Sequence, residues 1–140
     1  MRLEISTDRL RLDLDLIHRF LSEEAYWARG RPREATEQAI AGALCFGVYD
    51  GDGEQIGFAR VVGDGATFGF LADVFVVAHA RGAGVGKALL EAVVSHPEVR
   101  DLARLTLATD DAFELYARYG FTKFDDAERW MIRRAGYAAQ

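Results

Sequence analysis

The chain has one cysteine, two prolines and three histidines in 140 residues. A lone cysteine excludes an intrachain disulfide. Cys45 lies in the apolar run Ala43-Leu44-Cys45-Phe46-Gly47-Val48, with no histidine or carboxylate beside it. It reads as a small core residue and not as a nucleophile. His18, His79 and His96 lack metal-ligand spacing, so no metal is expected. No apolar stretch is long enough to span a bilayer, and Met1-Arg2-Leu3-Glu4-Ile5 lacks the apolar segment of a signal peptide. The expectation is a cytoplasmic protein without a membrane partner. Positive charge is also scarce: 17 Lys and Arg stand against 22 Asp and Glu, a formal net charge of −5. That argues against a duplex nucleic-acid binder, which needs clustered cations. It does not exclude an anionic small molecule, because two cations at a helix start make a local positive site. An acidic surface mildly favours cationic amine substrates by steering. Repeats, low-complexity tracts and interdomain linkers are absent, and the length fits a single domain over residues 1–140 with a real core.

What is present is a glycine-rich turn between two apolar segments. Arg81-Gly82-Ala83-Gly84-Val85-Gly86-Lys87 follows Val74 to Ala78 and opens the helical pattern Ala88-Leu89-Leu90-Glu91-Ala92-Val93-Val94. Strand, glycine turn and helix put free backbone N–H groups and a helix dipole in front of a phosphate. Spacing narrows the ligand. A P-loop would need glycine at Arg81 and a hydroxyl at Ala88. A dinucleotide fingerprint would need glycine at Lys87 or Leu89. Both fail. What fits is Arg-x-x-Gly-x-Gly at Arg81, Gly84 and Gly86.

Elsewhere the pattern predicts strands at Leu3–Ser6, Leu44–Tyr49, Gln55–Val62 and Thr67–Val77, with Asp50-Gly51-Asp52-Gly53 and Gly63-Asp64-Gly65 as turns. Asp13 is placed to cap a helix bearing Leu14, Ile17 and Leu21. Pro32 suits the first turn of a second helix, whose apolar face is Ala35, Ala39, Ile40 and Ala43. A third helix from about Gly84 to Ser95 ends before Pro97. A buried strand is expected at Leu105–Ala108, and then a fourth helix capped by Thr109 or Asp110 and ended by Gly120. Two more strands are expected, one from Phe121 and one at Arg129–Arg133. This is a mixed α/β sheet with helices on both faces.

The glycine loop resembles the coenzyme A pyrophosphate loop of the GNAT N-acetyltransferase superfamily. Leu115-Tyr116-Ala117-Arg118-Tyr119-Gly120-Phe121 is similar to that superfamily's second signature, Leu-Tyr-x-x-x-Gly-Phe. Asp73-Val74-Phe75-Val76-Val77 sits where its central strand does, and the resemblance covers roughly residues 44–133. Tyr26-Trp27-Ala28-Arg29-Gly30-Arg31 resembles a subgroup of small bacterial members with unassigned substrates. Ala78 stands where the family usually has proline, and Thr109 where it often has an asparagine that contacts the pantetheine arm. The resemblance implies a mostly antiparallel sheet flanked by about four helices. It also implies that strands four and five splay apart to admit that arm.

It further implies acetyl transfer from acetyl-CoA to an amine. Gly82, Ala83, Gly84, Val85, Gly86 and Lys87 would then hold the pyrophosphate with Arg81. Val74, Phe75, Val76 and Thr109 would line the pantetheine. Tyr116 would be the general acid. Helical spacing by itself makes Tyr116 a core residue on a face with Ala112, Leu115 and Tyr119. Asp73 is either the base for the amine proton or a structural partner for an arginine, since a carboxylate inside an apolar strand must be paired or face a cleft. Tyr26, Trp27, Arg29 and Arg31 form an aromatic and basic loop suited to line the acceptor side. The acceptor is expected to be a small-molecule amine. A protein N-terminus or lysine, and a coenzyme A sensor without turnover, are the alternatives. A homodimer stays open.

Overall fold

The turns named above fold the middle of the chain into an antiparallel meander. In the computed structural model, which describes residues 2–135, β1 is Glu4–Ser6, β2 Leu44–Tyr49, β3 Gln55–Gly63 and β4 Phe68–Val76. Asp50 Oδ1 accepts the N–H groups of Asp52 and Glu54 at the β2–β3 turn. Asp64 does the same for Ala66, Thr67 and Phe68 between β3 and β4. Side-chain oxygens of this kind replace the ladder partners that a turn removes. β5, Arg104–Thr106, then pairs parallel to β4, giving the order β1-β2-β3-β4-β5.

Helices cover both faces. α1, Leu14–Arg19, is capped by Asp13, whose Oδ1 accepts Leu16 N–H at 3.0 Å. The chain continues as a wide turn over Phe20–Glu24 and buries Ile17, Phe20 and Leu21. Phe20 stacks on Phe75 of β4 with ring centres 4.1 Å apart, so α1 lies over the sheet face carrying Phe58 and Phe75. α2, Arg33–Ala41, starts one residue after Pro32 and buries Thr36 and Ile40. The Thr36 hydroxyl meets His18 Nδ1 at 2.9 Å. Strand alternation turns Phe46 and Val48 to the opposite face. There Phe46 meets His96 at the end of α3, Val85–Ser95. α3 buries Val85, Leu89, Leu90 and Val93. The last helix, α4, is short: Phe113–Ala117. Among the described residues, no helix is long and apolar enough to cross a membrane.

Two expectations change toward the C-terminus. β5 has only three residues and is partly exposed, not buried, and α4 starts at Phe113. Neither Phe121 nor Arg129–Arg133 forms a strand; Ala127–Arg129 is a single tight helical turn instead. A three-residue edge offers few backbone groups for a further strand to pair with. The aromatic side chains find a different partner. Phe124 and Trp130 flank the Arg104 guanidinium, with ring centres 6.0 and 5.2 Å from its carbon. Packing on a cation replaces ladder pairing there.

Candidate active site

Two irregularities in β4 create the site. The first is where β5 stops. Phe68, Gly69 and Phe70 pair with Arg104, Leu105 and Thr106. Among the described residues, Leu71 to Val76 continue with no strand partner on that side. The strands part there, and backbone groups of β4 face an opening.

The second is a bulge. Phe58 pairs with Phe75, but Arg60 pairs with Ala72, so Asp73 and Val74 together face Ala59. Asp73 carries φ = 55°, the one left-handed non-glycine residue among those described. An aspartate tolerates that region better than bulky residues do, and the surroundings must hold it there. They do so through charge. Arg31 donates from both terminal nitrogens to the two Asp73 oxygens, at 2.7 and 3.2 Å. Arg60 Nε donates to Oδ2 at 2.7 Å, and Trp27 Nε1 to Oδ1 at 2.9 Å. Burial would raise the Asp73 pKa. The Arg31 hydrogen bonds and the charges of Arg60 and Arg31 outweigh it and hold the carboxylate below its usual range. A carboxylate with four donors and a depressed pKa is a poor base. Its environment supports the other reading of Asp73, a structural partner for arginine.

Asp73→Asn is expected to destabilise the fold by about 3 kcal/mol or more, because it leaves buried guanidinium charge uncompensated. Thermal melting measures this. A wild-type melting temperature would remove Asp73 from the framework. The sign with pH follows from the depressed pKa. Asp73 stabilises fully above the ordinary carboxylate value, about pH 4, and the contribution fades as pH falls through the lower folded-state value. The mutant should lack that part of the acid-side loss.

The loop before α2 is drawn onto this bulge. Trp27 and Arg31 reach Asp73, and Tyr26 packs edge-on against Trp27 at 5.1 Å. The Tyr26 hydroxyl accepts the N–H of Asp110 at 3.0 Å, bridging to the connection between β5 and α4. Arg29 is exposed and lies outside the cluster. Arg60 belongs to the cluster but escaped the sequence reading. Its signal was a single charge inside Ile56-Gly57-Phe58-Ala59-Arg60-Val61-Val62.

Past β4, the glycine loop takes the shape its sequence implied. Gly82 and Gly84 have φ of 83° and 79°. The first helical bond of α3 runs from Ala88 N–H to Gly84 O, so the N–H groups of Val85, Gly86 and Lys87 precede it and point out of the helix start. A side chain added at Gly82, Gly84 or Gly86 would meet nothing within 4 Å. An open cradle of amides results. Arg81 is exposed beside it and ties Nε to Val76 O at 3.1 Å. That bond fixes the guanidinium near the loop and occupies one of the β4 carbonyls.

α4 closes the other side. The Tyr119 hydroxyl donates to Lys87 O at 3.0 Å and docks α4 on α3. Thr109 Oγ1 accepts Ala112 N–H at 3.2 Å and shapes the turn into α4. Tyr116 packs edge-on against Phe121 and shares with Thr109 a cleft of about 1390 Å³. Burial pushes the Tyr116 phenol up to about 12, with Tyr26 and Asp111 adding to it. That cleft is lined by β5, α4 and residues 121–125; Tyr119 ties this segment to the start of α3 through Lys87, and Tyr26 ties it to the β4 bulge through Trp27. Among the described residues no group of histidine, cysteine and carboxylate side chains is arranged to hold a metal.

A family model described as "Acetyltransferase (GNAT) domain" matches residues 41–123. A Gibberella zeae protein named as a candidate acetyltransferase is 32% identical, over 81% of this chain and 75% of that protein. The crystal structure of a candidate GNAT-family acetyltransferase from Xanthomonas campestris pv. campestris is 47% identical, with a TM-score of 0.93 over 96% of this chain and 94% of that one. Glucosamine-6-phosphate N-acetyltransferase from Arabidopsis thaliana shares the fold, with a TM-score of 0.65 at 13% identity over 98% and 99% of the two chains.

Proposed function

Because the chain belongs to the GNAT acetyltransferase family, we propose that it moves an acetyl group from acetyl-CoA to the primary amine of a small molecule, with Tyr116 as proton donor. The observation that carries this is the open amide cradle at Gly82–Lys87, directly beyond the unpaired edge of β4. Amides of Val85, Gly86 and Lys87, with Arg81, suit a pyrophosphate. The outer edge of Val74, Phe75 and Val76, apart from the Val76 carbonyl that Arg81 occupies, suits a pantetheine arm together with Thr109, and the open edge lets that arm lie alongside as a strand would.

Acetyl-CoA supplies the reactive thioester. The acceptor nitrogen forms a bond to the acetyl carbon, the carbon–sulfur bond breaks, and the Tyr116 hydroxyl gives its proton to the sulfur. Holding donor and acceptor in line provides the larger part of such catalysis. Asp73 acts in this reading through position: it pins Trp27, Arg31 and Arg60 around the bulge. Water is left to take the amine proton.

Acetyl-CoA is expected to bind at least about tenfold more tightly than ATP, since the cradle and strand edge act together, and tenfold is about 1.4 kcal/mol. Calorimetry with both ligands tests it; equal or tighter ATP binding rejects the reading. A thiol-release assay against an amine panel tests turnover. Tight acetyl-CoA binding without release on any amine would favour a coenzyme A-binding module.

A further inference from the structure

Arg60 is an expensive residue to place in the middle of β3. Its neighbours Phe58 and Ala59 are fully buried, and its own side chain is 15% exposed. Across the sheet it faces Cys45 on β2 and Ala72 on β4, neither of which bears a charge. One bond holds it, from Nε to Asp73 Oδ2. Asp73 has no more to give: a carboxylate accepts about four hydrogen bonds, and Arg31 and Trp27 take the other three. The two terminal nitrogens of Arg60 bond to no described residue, yet they are not sealed in. Among the described residues, the buried side-chain polar atom without a partner is the Tyr49 hydroxyl. A guanidinium pinned at Nε presents its terminal nitrogens as a fork in a fixed direction, which matches the two oxygens of a carboxylate.

The surroundings indicate what carries that carboxylate. Val62 and Phe70 lie one cross-strand pair further along the same sheet face, and Phe68 continues the row on β4. Phe70 is 38% and Phe68 40% exposed. An anion at Arg60 would therefore lie beside an open apolar surface. The phosphates of the donor are accounted for at the other end of β4, beyond Val77. β3 lies one strand in from the free edge of β4, a spacing of about 4.8 Å, so one small molecule can reach both Arg60 and the gap between β4 and β5.

We propose that Arg60 is the anchor for a carboxylate on the acceptor, which makes the acceptor amino-acid-like: a primary amine and a carboxylate on one small molecule with an apolar body. This rests on the acetyltransferase reading above. Of the loop residues expected on the acceptor side, Arg31 binds Asp73 and Arg29 lies outside the cluster, so the carboxylate contact falls to Arg60.

The test is a panel of apolar and aromatic amino acids, each beside its own amide, which keeps the amine and removes the charge. Thiol release should favour the acid over the amide by about tenfold to a hundredfold in kcat/KM, the range of a charged hydrogen-bonded contact. Arg60→Lys keeps a charge beside Asp73 but loses the fork, and should collapse that preference toward one. Equal use of acid and amide, or a preference untouched by Arg60→Lys, overturns the proposal. Thermal melting with the same compounds reads binding without turnover. A rise with an acid but not its amide, lost in Arg60→Lys, upholds the anchor even if no acetyl group is transferred. No rise with any acid, together with no transfer, overturns it. Should Arg60→Lys fail to fold, the acid-against-amide comparison on the unaltered chain decides.

Discussion

Gly86→Glu should abolish acetyl-CoA binding while leaving the free protein as stable as before, or slightly more so. Gly86 lies in the first turn of α3 with ordinary helical geometry, and an added Cβ meets no atom within 4 Å. Replacing a helical glycine relieves a penalty of up to about 1 kcal/mol. A carboxylate in the first turn adds about 0.3–1 kcal/mol through the helix dipole. A melting temperature raised by about 3 °C would match those terms for a domain of this size. The same carboxylate lies where the cradle would receive a pyrophosphate, and like charge with added bulk should weaken acetyl-CoA binding by about a hundredfold or more. Gly84→Glu is a less clean probe, because φ = 79° at Gly84 strains any side chain whatever space surrounds it. Calorimetry and thermal melting on Gly86→Glu separate the effects. Unchanged acetyl-CoA affinity in the folded mutant would refute the loop assignment.

Tyr116→Phe should lower kcat with little change in acetyl-CoA affinity or melting temperature. The ring packs against Phe121, and phenylalanine keeps that contact. The hydroxyl bonds to no described residue, so its loss orphans nothing. Losing a general acid costs roughly 10²–10⁴-fold. A phenol pushed up to about 12 surrenders its proton reluctantly to a thiolate whose ordinary value is about 8.5. The expected loss is therefore at the lower end, about 10²-fold. The raised pKa also sets the pH profile. An acid works while protonated, so Tyr116 stays competent throughout the range in which an acceptor amine loses its proton. The wild-type rate should climb with pH, with no decline from Tyr116 below about pH 11. Steady-state thiol release on the best acceptor measures both. A mutant with wild-type kcat across that range would return Tyr116 to the core.

What the sequence by itself determined was the part of the site made from consecutive residues. Gly82, Gly84 and Gly86 announce the cradle, because the positive φ of the first two and the bare helix start at the third are properties of the glycines themselves. Asp13 as a cap and the aspartate turns were legible because their hydrogen bonds close within a few residues, and the strands from Leu44 to Val76 because those turns bound their apolar runs. Tertiary structure decided the rest. Asp73 meets Trp27, Arg31 and Arg60 across 46, 42 and 13 residues, and only that meeting turns a possible base into a tethered anion. The bulge that sets its backbone exists only in the pairing of β3 with β4. Strands were expected from Phe121 and at Arg129–Arg133, but a strand needs an edge to pair with, and β5 ends after three residues. The ionisation and availability of a buried charge follow from how many opposite charges and donors the fold brings within reach, and no local pattern encodes that sum.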